Sequence, residues 1–250
     1  MSSYPDQMVA PHLQEQFHNP DQQREAATLG MWTFLATEVL FFGGLLVAYA
    51  VYRIRWPQDF RQGSLDLKWY LGGFNTAVLL LSSFTMALTV RASQHGDNRR
   101  IIRNLLLTIA LAVTFVGIKF VEYYVEYDEG LLPGKTFRAQ EPPPSQLSAL
   151  TRQLGKFEAW MNPVAHESDE KRRRTEHEEL FMCFYFILTA IHATHMLIGI
   201  VIMTVLAFMA RAKKFSAGWH NPVEITGLYW HFVDTVWVFL FPILYLLRNP

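Results

Sequence analysis

Five stretches of this chain stay apolar for about twenty residues or more, and that one feature removes most folds from consideration. They run from about Leu29 to Tyr52, Trp69 to Val90, Leu105 to Val125, Leu180 to Ala210 and Ile225 to Leu247. A helix of about twenty residues crosses a hydrocarbon core about 30 Å thick. Lipid offers no water to backbone N–H and C=O groups, so a span of this kind must be a helix. The expected fold class is all-α: a polytopic membrane protein, with five transmembrane helices in a bundle and a long extramembrane loop between helices 3 and 4.

The charge balance says what such a bundle does not bind. Lys and Arg together number 22, as do Asp and Glu. A neutral chain gives no sign of a nucleic-acid partner. Cys183 is the only cysteine, which excludes an internal disulfide and a cysteine cluster for zinc or iron–sulfur. The polar N-terminus lacks an apolar core after a basic start, so no cleavable signal peptide is expected.

Between the spans the chain reads as follows. Residues 1–27 form a polar tail and 28–250 a membrane domain, interrupted at about 128–178 by an extramembrane insertion. In it, Pro142, Pro143 and Pro144 predict a stiff, extended piece. Leu147, Leu150, Leu154, Phe157 and Trp160 then recur at three- and four-residue spacing, the apolar face of a short helix. Glu167 with Lys171, Asp169 with Arg173 and Glu170 with Arg174 are i,i+4 pairs, so the fourth span should begin as helix before its apolar part. Gly44 with Ala48 and Gly73 with Ala77 are small-residue pairs that permit close helix approach. Pro242 should bend the fifth helix, because it lacks the donor that Val238 C=O would use. Basic residues occur on both sides of the membrane, and charge alone leaves the orientation open.

The informative residues are the ionisable ones inside the spans. Glu38 lies in the first, Lys119 and Glu122 in the third, His192 and His195 in the fourth, His231 and Asp234 in the fifth. The aspartate alone costs about 2.5–3.5 kcal/mol at the centre of an inserted helix. Each pair is spaced i,i+3 and so shares a helix face. Four of the five helices thus present polar groups, as a bundle with a polar seam would. One reading is a metal site, with His192, His195 and His231 joined by Glu38 or Glu122; hydrogen-bonded pairs are the commoner use of such spacing, and no metal ligand set is expected. A second reading is a proton path built on buried carboxylates. A third is mutual satisfaction, in which Lys119 neutralises Glu122 and His231 pairs with Asp234. Glu38 has no partner on its own helix, and His195 or His192 is the candidate.

These residues sit in motifs that resemble subunit III of the haem–copper oxidases, in the five-helix form of bacterial cytochrome c oxidase. The motifs run in order: Thr37-Glu38-Val39-Leu40-Phe41-Phe42; Asn75-Thr76-Ala77-Val78-Leu79-Leu80; Glu122-Tyr123-Tyr124; Leu131-Leu132-Pro133-Gly134; the segment Thr189 to Gly199, with His192 and His195; and Tyr229-Trp230-His231-Phe232-Val233-Asp234 with Trp237. The mitochondrial form has seven helices, and the first two are missing here. The stretch from about Arg138 to Glu178 is an insertion relative to the family pattern.

The resemblance implies an accessory, non-redox subunit of a proton-pumping cytochrome c oxidase in aerobic respiration. No catalytic residue and no cofactor are expected in this chain. Haem and copper are expected in partner subunits, subunit I being the direct neighbour and subunit II another, with phospholipid bound to this chain. Glu38, Lys119, Glu122, His192, His195, His231 and Asp234 would support proton uptake or line the polar seam. Asn75, Thr76, Trp230 and Trp237 would be a packing signature. The implied location is the bacterial inner membrane, N-terminus cytoplasmic and C-terminus periplasmic. Subunit III of a ubiquinol oxidase or of a nitric oxide reductase complex is the alternative within the family. A stand-alone proton-coupled transporter is the alternative outside it; against it, no inverted repeat is visible and five spans do not divide into two halves.

Overall fold

The computed structural model describes residue 14 and residues 16–129, 131–133 and 165–247. The proline run, the Leu147–Trp160 face and most of the insertion lie outside the described residues, as do the side chains of the three i,i+4 pairs. The helices in order are α1 (Pro20–Arg55), α2 (Pro57–Asp66), α3 (Trp69–Gln94), α4 (Asn98–Asp128), α5 (Ala165–Arg211) and α6 (Asn221–Phe241), followed by a π-helical turn over Pro242–Leu246. Five of them, all but α2, are long and apolar enough to cross a membrane.

Helix ends follow local chemistry more than hydropathy. α1 starts at Pro20, ahead of its apolar stretch, because Asn19 Oδ1 accepts from Gln22 N at 2.7 Å and Pro20 takes the first helical position. α3 stops at Gly96, whose φ of 68° closes the helix while Asp97 N donates back to Ala92 O at 3.1 Å. Asp97 Oδ1 then accepts from the backbone N–H groups of Arg99 and Arg100, both at 3.1 Å, and caps α4. α5 starts at Ala165, upstream of its apolar part. At Pro242 the α-helix does end, and the chain continues as one wider turn.

The residues group into two compact units. The first comprises residues 1–42, 78–113 and 195–235. Its core is Trp230, fully buried, with Met86, Ile101, Leu105, Met196 and Met203. Trp230 packs where Gly199 leaves room: a Cβ on Gly199 would lie 2.6 Å from the indole. Gly227 likewise admits Val90, at 2.7 Å from where a Cβ would stand. Thr85 and Thr108 join α3 to α4 through hydroxyls 2.7 Å apart. Asn98 Nδ2 holds the α5–α6 loop by donating to Phe215 O at 2.8 Å.

The second unit comprises residues 43–77, 114–194 and 236–250. Its core is aromatic: Tyr49, Phe60, Phe115, Phe181, Tyr185, Trp237 and Tyr245 are almost wholly buried. The short helix α2 belongs here because Phe60 meets Tyr49 and Phe181 edge-on, with ring centroids 5.5 and 5.7 Å apart. Gly63 on the same helix faces Phe181 so closely that a Cβ would lie 2.4 Å from it.

The small-residue pairs of the sequence are not the points of close approach within this chain. A Cβ on Gly44 would meet nothing within 4 Å, and one on Gly73 would touch only Phe241, at 3.8 Å. The tight positions are Gly63, Gly72, Gly199 and Gly227, each opposite a bulky side chain. Spacing marks where a helix is thin; only packing decides whether a neighbour comes to that face.

Candidate functional site

Among the described residues, polar groups meet inside the spans of both units. In the first unit, α1 carries Glu38 and α5 carries His195, and Nε2 of the histidine lies 3.2 Å from Oε2 of the glutamate. Both side chains are about five-sixths buried, at 16% and 17% exposure. The distance is that of an ion pair, while the carboxylate oxygen lacks hydrogen-bond geometry. Phe42 packs against the His195 ring at 5.5 Å, and Tyr229 OH donates to the His195 backbone carbonyl at 2.9 Å. This is how α6 holds the turn that presents the histidine.

In the same unit His231 is served by Ser83: Nδ1 and Oγ lie 2.7 Å apart. Asp234, 4% exposed, has Ser83 as its hydroxyl neighbour, and neither of its oxygens accepts a hydrogen bond of ordinary geometry among the described residues. The i,i+3 partners therefore converge on a serine of α3. Trp230 Nε1 donates to the adjacent Ser82 Oγ at 3.0 Å. Two neighbouring serines thus receive three residues of the α6 motif.

The second unit holds the more deeply buried cluster. Lys119 Nζ donates to Glu122 Oε2 at 2.8 Å, and the two side chains are 3% and 2% exposed. The same ammonium donates to Tyr245 OH at 2.8 Å and Tyr185 OH at 3.2 Å. Tyr245 OH in turn donates to Glu122 Oε1 at 2.7 Å. Four aromatic faces surround the cation, those of Tyr123, Tyr185, Trp237 and Tyr245, with Nζ 5.0–5.5 Å from each ring centre. All three ammonium protons are used, and the rings add cation–π attraction. A buried lysine is tolerable in lipid because of this enclosure. Glu126, one turn beyond Glu122 and 4% exposed, completes the cluster.

His192 does not join His195. It sits in the second unit between Phe115 and Trp237, with ring centroids 5.7 and 5.1 Å away. Trp237 Nε1 donates to Thr76 Oγ1 at 3.1 Å, and Thr76 back-bonds to Gly72 O at 2.8 Å. Asn75 is fully buried, and its amide has no hydrogen-bond partner among the described residues.

The sequence reading named both members of the Glu38–His195 and Lys119–Glu122 pairs. It missed Ser82, Ser83, Tyr185, Tyr245 and Glu126. Glu126 had a signal, its i,i+4 spacing from Glu122. The hydroxyls had none, since serine and tyrosine are unremarkable in a membrane helix until something is bonded to them. Among the described residues no three His, Cys, Asp or Glu side chains come together as a group able to hold a metal ion.

Comparison with known proteins gives these clusters a context. The family described as Cytochrome c oxidase subunit III matches residues 174–248. Cytochrome c oxidase subunit 3 of Synechocystis sp. is 27% identical over 219 residues, 87% of this chain and 74% of its own length. The subunit of the same name in Thermostichus vulcanus is 28% identical, covering 88% and 87%. Quinol oxidase subunit 3 of Bacillus subtilis is 25% identical, covering 88% and 86%. The similarity therefore runs from the Glu38 helix through the Trp230–Trp237 segment, and the five apolar helices agree with it. Over nearly nine-tenths of its length the chain is thus similar to subunit 3 of cytochrome c and quinol oxidases.

Proposed function

We propose that this chain is the accessory, non-redox subunit III of a proton-pumping cytochrome c oxidase, and that it stabilises the catalytic subunit and supports proton uptake. The observation that carries the reading is similarity to cytochrome c oxidase subunits along nearly the whole chain, joined to polar groups that are paired inside the membrane. Haem, copper and oxygen chemistry belong to neighbouring subunits. Subunit I is the direct partner and subunit II another. The apolar window of α1 is only 17% buried within the chain, against 50% for α6. A face so little covered needs lipid or a neighbouring subunit.

Each polar cluster has its part in the proposal. Glu38 with His195 is the group that supports proton uptake, being partly accessible and held by α6. Lys119 with Glu122, and His231 and Asp234 with Ser83, fasten helices to one another. His192, Asn75, Thr76, Trp230 and Trp237 set packing. The membrane domain covers 28–250, with the N-terminus cytoplasmic, the C-terminus periplasmic, and the insertion on the periplasmic side where an electron donor docks.

The test is gentle purification from the native membrane, followed by identification of what co-elutes and a haem spectrum. Co-elution with a haem-bearing subunit, and no visible absorbance from the separated chain, is the expected result. A haem spectrum retained by the isolated chain would sink the proposal. The similarity to a quinol oxidase subunit supports a second reading, in which the donor is a quinol. Oxygen consumption by the purified complex with reduced cytochrome c or with a quinol decides between them.

A further inference from the structure

The buried Lys119 cluster is covered by a turn that is not α-helical. Pro242 brings no N–H for the Val238 carbonyl, and the chain goes on through Pro242–Leu246 in π-helical register. Leu247 N closes that turn by donating to Pro242 O at 3.2 Å. A π turn takes one residue more than an α turn, so the side chains after it stand about 100° further round the axis. Tyr245 reaches its place in this way. Its side chain is fully buried, with the hydroxyl 2.8 Å from Lys119 Nζ and 2.7 Å from Glu122 Oε1. Gly72 of α3 leaves the space: a Cβ there would stand 2.8 Å from the Phe241 ring and 3.2 Å from that of Tyr245.

Tyr49 and Arg53 of α1 hold the turn from its far side. Tyr49 OH donates to Ile243 O at 3.1 Å. Arg53 donates through Nη1 to the Tyr49 hydroxyl at 3.1 Å, and through Nη2 to the Leu247 carbonyl. The bonds to the turn end on its backbone, so they fix its register rather than any one side chain. All of these residues belong to one unit of the fold.

We propose that the Pro242–Leu246 turn is a strap with two registers, that Arg53 is its catch, and that the strap controls access to the Lys119 amine. In the π register Tyr245 covers Lys119 and Glu122. In the α register the phenol swings off the ammonium, Arg53 loses the Leu247 carbonyl, and small polar molecules reach Nζ. The registers differ in the partner of each amide, i−5 against i−4, so the strap moves without unfolding α6. Opening leaves the charge paired: Lys119 keeps Glu122 at 2.8 Å and Tyr185 at 3.2 Å. A buried ammonium stripped of its carboxylate would make such an open state too costly. The inference rests on the geometry of this unit and not on the oxidase reading.

Acetylation of the assembled complex by acetic anhydride, read residue by residue by peptide mass spectrometry, measures the access. In wild type, Lys119 should be labelled far less than Lys68, whose side chain is 32% exposed. Arg53→Gln removes a charge-assisted bond to the strap, a loss that shifts an opening equilibrium by about tenfold or more. Labelling of Lys119 should rise by that factor, with Lys68 labelled as in wild type. Pro242→Ala restores the N–H that an α register needs, and should raise Lys119 labelling in the same way. Gly199→Ala disturbs the other unit, and should leave Lys119 as protected as in wild type. Unchanged Lys119 labelling in Arg53→Gln overturns the proposal. An equal rise in Gly199→Ala overturns it too, since general loosening would then explain the access. Should Arg53→Gln fail to assemble, Pro242→Ala decides by the same criterion.

Discussion

His195 Nε2 and Glu38 Oε2 lie 3.2 Å apart, each on a different membrane-spanning helix and each about five-sixths buried. The glutamate has no partner on its own helix, and its neighbour comes from α5. Replacing Glu38 by Ala should leave assembly and haem content of the complex intact while shortening its active lifetime over many turnovers. His195→Ala should do the same, and the double variant should be no worse than either alone, because residues acting as one unit are not additive. Turnover-dependent inactivation, measured by oxygen consumption, checks this. Lifetimes that multiply in the double variant would show two independent roles.

Lys119→Met removes the ammonium and leaves the Glu122 carboxylate 2% exposed beside two phenols. Breaking a buried pair from one side costs about 3–5 kcal/mol, while neutralising both sides costs far less. Lys119→Met should therefore lower the thermal midpoint of the complex sharply, and Lys119→Met/Glu122→Gln should recover most of the loss. If the double variant melts no higher than the single, the pair is not what holds the cluster.

Gly199→Ala puts a methyl group 2.6 Å from the buried Trp230 indole. Overpacking of this kind costs about 1–3 kcal/mol. Gly44→Ala meets nothing within 4 Å in this chain, and the helix gains up to about 1 kcal/mol from the exchange. Melting of the two variants should move in opposite directions. A loss at Gly44 as large as that at Gly199 would place a neighbouring subunit against α1.

Trp230→Phe deletes the donor that serves Ser82 Oγ at 3.0 Å, in a position with no exposure. An unserved buried hydroxyl costs about 1–3 kcal/mol. Adding Ser82→Ala should restore part of that loss. Thermal unfolding of the three variants measures the coupling, and strictly additive effects would remove the hydrogen bond from the account.

The polar groups show where sequence reading stops. Glu38, Lys119, Glu122 and Asp234 stand out because a charge inside twenty apolar residues is expensive. Their helical spacing also shows which of them share a face. Spacing along one helix, however, says nothing of the helix opposite. His231 and Asp234 have the spacing of a pair, and it is Ser83 on α3 that they approach. His192 and His195 are three apart on α5, yet His195 meets a carboxylate and His192 meets aromatic rings.

By itself the sequence determined the five spans, the all-helical class and the membrane as solvent, because lipid leaves the backbone no other way to satisfy its hydrogen bonds. It also determined which side chains must be explained. Only the tertiary structure decided what each of them touches. Tyr185 and Tyr245 became partners of Lys119, and Ser82 and Ser83 became partners of α6, through contacts between helices distant in the chain. The reason is energetic. A misplaced charge is costly wherever it sits, so its presence is legible locally. A hydroxyl counts only once a buried donor or acceptor depends on it, and that dependence exists only in three dimensions.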